Sequence, residues 1–172
     1  YTSQYTLSLH DALPISVPFA GWQETSPGPL FSFALGATGQ LVPAIAAMVS
    51  TGLFDRHPAL KVVAVEAGCG FAPYLMDRLD EKHEFFAMAA PLELRPSDYF
   101  RRNLWFVAEP EERTIGTVCE LVGEDRVLWG SDFPHVDSSL EAPERIRATL
   151  ADFGEASRRR VLGENARAVF GL

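Results

Sequence analysis

Asp132 and His135, three residues apart in Trp129-Gly130-Ser131-Asp132-Phe133-Pro134-His135, are the residues of this chain best placed for chemistry. They follow Arg126-Val127-Leu128-Trp129, an apolar run that reads as a buried β-strand. A carboxylate at the C-terminal end of a strand stands at the edge where barrels and open α/β sheets do their chemistry. Asp132 could there ligate a divalent metal, orient a metal-bound water or accept its proton. The plainer reading is a turn cap, since Ser-Asp is common in loops. His135 could contact substrate or hydrogen-bond an acidic neighbour; an ordinary loop histidine is the alternative.

Glu66 repeats the pattern. It leaves the apolar run Leu60–Val65 and enters Ala67-Gly68-Cys69-Gly70. An acid at the exit of a buried strand needs a metal or a basic partner, because an unpaired buried charge is costly. Glu109, Glu111 and Glu112 follow the next strand and are read as helix-start acids favoured by the helix dipole. His57 sits in a turn and His83 in a solvated helical run, so both are read as structural.

The elements that must position these residues alternate. Leu41, Val42, Ile45, Val49 and Leu53 recur at helical spacing, with Thr38 as a cap. Strands are expected at Leu60–Val65, Leu104–Ala108 and Arg126–Trp129. Their continuous apolarity suggests a parallel sheet covered on both faces. Helices are expected from Pro73, from a Ser97 cap, from Glu111 or Glu112, and from Pro143. Gly171 ends the last one. Residues 17–37 read as loop, with Phe31, Phe33 and Leu35 as a short strand or anchor. Repeated β-then-α order makes this an α/β chain.

Bulk properties narrow the function. The chain has 172 residues, 47% of them hydrophobic, and a formal charge of −8. That supports one cored domain but falls short of a complete eight-stranded barrel, which needs roughly 250 residues. An acidic chain argues against nucleic acid. No apolar stretch is read as a membrane span, and no secretory signal is read at the start, so a cytoplasmic location is expected. Cys69 and Cys119 fit buried thiols rather than a disulfide framework. No dinucleotide fingerprint, phosphate loop, zinc-finger spacing or Gly-x-Ser-x-Gly elbow is present. Residues 1–16 stand apart: Ser8-Leu9-His10-Asp11-Ala12-Leu13-Pro14-Ile15-Ser16 resembles translated sequencing-adapter sequence, and a flexible arm is the alternative. They are set aside as a non-native or disordered arm before a 17–172 domain.

Five stretches together carry a family resemblance. They are Leu53-Phe54-Asp55-Arg56-His57-Pro58-Ala59-Leu60-Lys61-Val62-Val63, Glu66-Ala67-Gly68 and Pro73-Tyr74-Leu75-Met76-Asp77-Arg78-Leu79-Asp80, then Leu128-Trp129-Gly130-Ser131-Asp132-Phe133-Pro134-His135 and Leu162-Gly163-Glu164-Asn165-Ala166. In order and spacing the chain resembles the amidohydrolase-related family that includes aminocarboxymuconate-semialdehyde decarboxylase. The resemblance implies a distorted (β/α)8 TIM barrel with a divalent metal, expected to be zinc, at its C-terminal face. It implies that Asp132 is the last metal ligand, after the eighth strand, and that His135 lies near the substrate. Glu66 stands where the decarboxylase has a sixth-strand histidine, which makes it a candidate second ligand. The His-x-His pair the family carries on its first strand does not occur in this sequence. The expectation is therefore the C-terminal part of such a barrel, incomplete and inactive alone. Its parent would be a metal-dependent hydrolase or nonoxidative decarboxylase of a small carboxylated or cyclic substrate. Two other readings stay open: a non-catalytic binding module, in which a homodimer could complete the sheet, and an unrelated small open-sheet domain.

Overall fold

The computed structural model describes residues 6–8, 28–89, 92–135 and 138–172. Its centre is a four-stranded parallel sheet with the strands side by side in chain order. They are β1 (Thr6–Ser8), β2 (Lys61–Ala64), β3 (Leu104–Ala108) and β4 (Val127–Trp129). The register places Leu7 beside Val62, Val63 beside Trp105 and Val107 beside Leu128. Around the sheet run α1 (Pro29–Ser50), α2 (Leu53–Arg56), α3 (Phe71–Phe86), α4 (Pro96–Asn103), α5 (Ile115–Leu121), α6 (Ala142–Thr149), α7 (Glu155–Arg159) and α8 (Asn165–Phe170).

Both sheet faces are apolar, as parallel strands require. Val62, Ala64, Leu104, Phe106, Ala108 and Val127 point into the main core, with Ile45, Phe54, Tyr99, Phe100, Ile115 and Ile146 from the helices. Alternate residues, Val63, Trp105 and Leu128, form a smaller cluster closed by Val169 of α8. Polar side chains lock the corners. Asn103 donates to the carbonyls of Pro58 (3.1 Å) and Leu60 (2.7 Å) ahead of β2. Asn165 donates to those of Glu124 (2.7 Å) and Val127 (2.8 Å), fixing the start of β4.

Several expectations need correction. The segment around Phe31, Phe33 and Leu35 is helix, not loop or strand: α1 begins at Pro29, whose fixed φ suits a first helical turn. Thr38 is therefore mid-helix, and its hydroxyl donates to the Ala67 carbonyl at 3.4 Å. From Leu30 to Ser50, α1 is also long and apolar enough to cross a membrane by length and composition. Gly36, Gly39, Gln40 and Pro43 interrupt the apolar run and hide this from a pattern search. Ile45 and Val49 of α1 are nonetheless fully buried in the core. Ser97 does not cap α4; instead its N–H donates to Asp80 of α3 at 2.8 Å. A fourth strand, Thr6–Ser8, comes from within the stretch set aside as an arm. The remainder of residues 1–16 lies outside the described residues.

Candidate active site

Because the strands are parallel, their C-terminal ends open onto one edge. Glu66, Glu109 and Asp132 all emerge there, and with the N-terminal part of α1 and the start of α6 they line a cavity of about 610 Å³. Asp132, His135 and Glu66, the three residues singled out from the sequence, share this cavity.

The backbone marks the same two acids. Among the described residues, Glu66 (φ 64°) and Asp132 (φ 53°) are the non-glycine residues with left-handed conformation. That region costs an L-residue about 1–2 kcal/mol, and such strain collects at functional sites. Each acid turns the chain sharply as it leaves its strand. The Phe133–Pro134 peptide after Asp132 is cis.

Asp132 and His135 form a pair. The His135 N–H donates to the Asp132 carbonyl at 2.8 Å, and the imidazole Nδ1 lies 3.2 Å from Asp132 Oδ2. The Ser138 hydroxyl donates to the His135 carbonyl at 2.7 Å. The Phe33 ring of α1 is tilted against the imidazole with centroids 6.2 Å apart. Both paired side chains are partly exposed, so the pair can exchange protons with solvent and with a bound molecule. An imidazole oriented by a carboxylate is a group that can carry a proton.

Sequence reasoning missed Arg145. It projects from α6 and, among the described residues, is the one Arg or Lys lining the cavity, against five carboxylates: Glu66, Glu109, Glu111, Glu112 and Asp132. It pairs with Glu111 and, at 3.2 Å, with Glu141, and Glu111 first raises its pKa. The sequence pattern gives a helix from Pro143, but not that its first turns reach the cavity at the strand ends. Burial and then the Glu112 carboxylate push the Cys69 thiol far up, so it is held neutral beside the cavity. His57 and His83 do not line the cavity, as expected.

Among the described residues no group of three or more His, Cys, Asp and Glu stands close enough to hold a metal ion. Asp132 and Glu66 therefore do not make a metal site by themselves, since protein metal sites use three or more ligands.

Comparison with known proteins places this geometry. The family model described as amidohydrolase matches residues 12–172. The chain is 33% identical over 150 residues to gamma-resorcylate decarboxylase of Rhizobium sp. (strain MTP-10005), covering 84% of this chain and 43% of that protein. It superposes on 5-carboxyvanillate decarboxylase from Sphingomonas paucimobilis with a TM-score of 0.68 and 30% identity, over 84% of this chain and 42% of that one. The dihydroxybenzoic acid decarboxylase of Polaromonas sp. JS666 shares the fold at a TM-score of 0.71 and 22% identity, over 98% of this chain and 50% of that one. The chain thus spans half or less of the length of these relatives. The small parallel sheet and its helices resemble part of their distorted barrel fold. The Polaromonas structure is described with bound manganese, which overturns the expectation of zinc. Carboxylate oxygens are donors that suit manganese.

Proposed function

Because the chain belongs to the amidohydrolase family, we propose that it serves nonoxidative decarboxylation of a small carboxylated aromatic acid of the dihydroxybenzoate type. The observation that carries this reading is the Asp132–His135 pair opening, with Arg145, into the cavity at the strand ends. Identity to a gamma-resorcylate decarboxylase supports the substrate class. The chain would supply the C-terminal wall of the site.

Each residue then has a task that follows from its chemistry. The Arg145 guanidinium faces the substrate carboxylate and offsets the five acids around it. A planar donor fork suits that role. Phe33 offers an apolar ring as one wall for the aromatic substrate. The Asp132–His135 pair delivers a proton to the ring carbon bearing the carboxylate. A π pair of the ring forms the new carbon–hydrogen bond; the carbon–carboxylate bond then breaks, its electron pair returns to the ring and restores aromaticity, and carbon dioxide leaves. Glu66, on the opposite strand exit, bounds the pocket. Asp132 and Glu66 would be this chain's carboxylates toward a manganese site, which would need further donors.

The test is an activity measurement with 2,6-dihydroxybenzoate and manganese. It compares the chain alone with the chain joined to the part of the Rhizobium decarboxylase that it does not match. Carbon dioxide release is expected from the joined protein and negligible from the chain alone. Asp132→Ala should abolish it. Turnover that survives Asp132→Ala, or a folded joined protein that binds the acid but never releases carbon dioxide, contradicts the reading.

A further inference from the structure

Glu112 lies in the loop between β3 and α5 and reaches across to the loop that follows β2. Its carboxylate accepts the N–H of Cys69 at 2.9 and 3.0 Å and the N–H of Gly70 at 2.6 Å. It also accepts the N–H of Glu109 at 3.2 Å and the hydroxyl of Thr114 at 2.8 Å. One side chain thus ties together two of the three strand exits that line the cavity.

The receiving loop is shaped for that carboxylate. A Cβ at Gly70 would lie 2.9 Å from Glu112 Oε1 and 2.5 Å from Thr114 Oγ1. A Cβ at Gly68 would lie 3.0 Å from Glu112 Oε2, at a φ of +62°. The glycines of Glu66-Ala67-Gly68-Cys69-Gly70 are therefore where a carboxylate must approach the backbone. The N–H groups it takes sit at the N-terminal end of α3, a 16-residue helix whose dipole favours a negative charge there. On the other side of the same loop, Thr38 of α1 holds the Ala67 carbonyl. Glu66, in its left-handed conformation, is the residue at the head of this pinned segment.

We propose that Glu112 is a positioning residue of the site: by occupying the Cys69–Gly70 amide cradle it holds the Glu66 turn against the cavity. This rests on the decarboxylase reading for its purpose, but not for its geometry. Although Glu112 lines the cavity, its carboxylate oxygens are taken up by the loop amides and Thr114. It acts through the loop, and its contacts bridge two loops rather than close the hydrophobic core.

Three variants of the 172-residue chain test it: Glu112→Ala, Glu112→Gln and Gly70→Ala. The last evicts the carboxylate by steric clash and leaves Glu112 in place. Three quantities are read: amide hydrogen exchange at 66–70, the urea midpoint, and the affinity for 2,6-dihydroxybenzoate. Loss of hydrogen bonds to a charged acceptor should speed exchange at Cys69 and Gly70 by about tenfold or more in Glu112→Ala and Gly70→Ala. Exchange in β3 and β4 should change far less. Glu112→Gln, which keeps one acceptor oxygen, should recover part of the protection. Affinity should fall in step with local exchange rather than with the urea midpoint. The proposal is overturned if exchange at Cys69 and Gly70 is unchanged, if it rises equally in β3 and β4, or if affinity ignores the loop. If neither the wild-type chain nor the joined protein binds 2,6-dihydroxybenzoate, the decarboxylase reading fails, and the exchange measurement still decides whether Glu112 holds the loop.

Discussion

Replacing Glu66 by alanine and, separately, by glycine isolates the cost of its backbone conformation. Both variants remove the carboxylate and whatever it contacts, so those losses cancel between them. What differs is the fit to a φ of 64°. Alanine keeps the left-handed penalty of about 1–2 kcal/mol, which glycine escapes. Glycine gives back roughly 0.5–1 kcal/mol through its freer unfolded chain. The glycine variant should therefore be the more stable by about 0.5–1 kcal/mol. This inverts the usual order, in which alanine is favoured over glycine within regular elements. For a domain of this size 1 kcal/mol corresponds to about 2–4 °C in Tm. Urea unfolding of both variants, followed by tryptophan fluorescence, reads the difference. The same comparison at Asp132 (φ 53°) should show the same sign. If alanine equals or exceeds glycine at both sites, these acids carry no backbone strain, and that part of the argument for a site at the strand exits fails.

Three further outcomes follow from the packing and the titrating groups. Asn165→Ala should cost about 1–3 kcal/mol, because it removes both hydrogen bonds that a 5%-exposed side chain makes to backbone carbonyls; equilibrium urea unfolding would show it, and a loss below about 0.5 kcal/mol would refute it. Burial, and then its hydrogen bond to Asp55, push the Tyr99 phenol up to about 12. Its neutral form therefore stabilises the fold fully below its ordinary value of 10, and that contribution is lost as pH rises from 10 through about 12. Urea midpoints measured at increasing alkaline pH should fall less steeply in Tyr99→Phe than in the wild type. Burial likewise pushes the Cys119 thiol up to about 11 and the Cys69 thiol higher still, and both are buried free thiols. A disulfide-exchange reagent at mildly alkaline pH should label neither in the native chain and both in urea; fast native labelling would contradict the packing.

Much of the fold is legible in the order of residues. Leu104–Ala108 appears as the same strand in sequence and structure, because a five-residue apolar run of β-prone residues after Asn103 leaves little choice. Asp132, His135 and Glu66 are legible because strand exits of a parallel sheet share one edge. Other features depend on contacts between distant segments. The start of α1 is obscured because Gly28 and Pro29 are turn residues by type, yet Pro29 is also a good first helical residue. Glu112 shows the limit most clearly. An acid near a helix start is the right physics, but the helix it serves is α3, some 40 residues earlier in sequence (Gly70 to Glu112 is 42 residues), and not α5, which follows it. Likewise the acceptor for the Ser97 N–H at the start of α4 is Asp80 of α3, where local pattern points to Ser97 itself as the cap. Arg145 needed the start of α6 to be placed at the cavity, which no periodicity contains.

The central claim is that the cavity around Asp132 and His135 receives a carboxylated aromatic acid. Labelling the histidine rings with carbon-13 and titrating the chain with 2,6-dihydroxybenzoate tests this most directly. His135 lines the cavity, while His57 and His83 do not. The account predicts that the His135 resonance shifts saturably, that those of His57 and His83 stay fixed, and that Arg145→Met weakens the response. A shift centred on His57 or His83, or no shift at His135 when binding is seen by calorimetry, would contradict it.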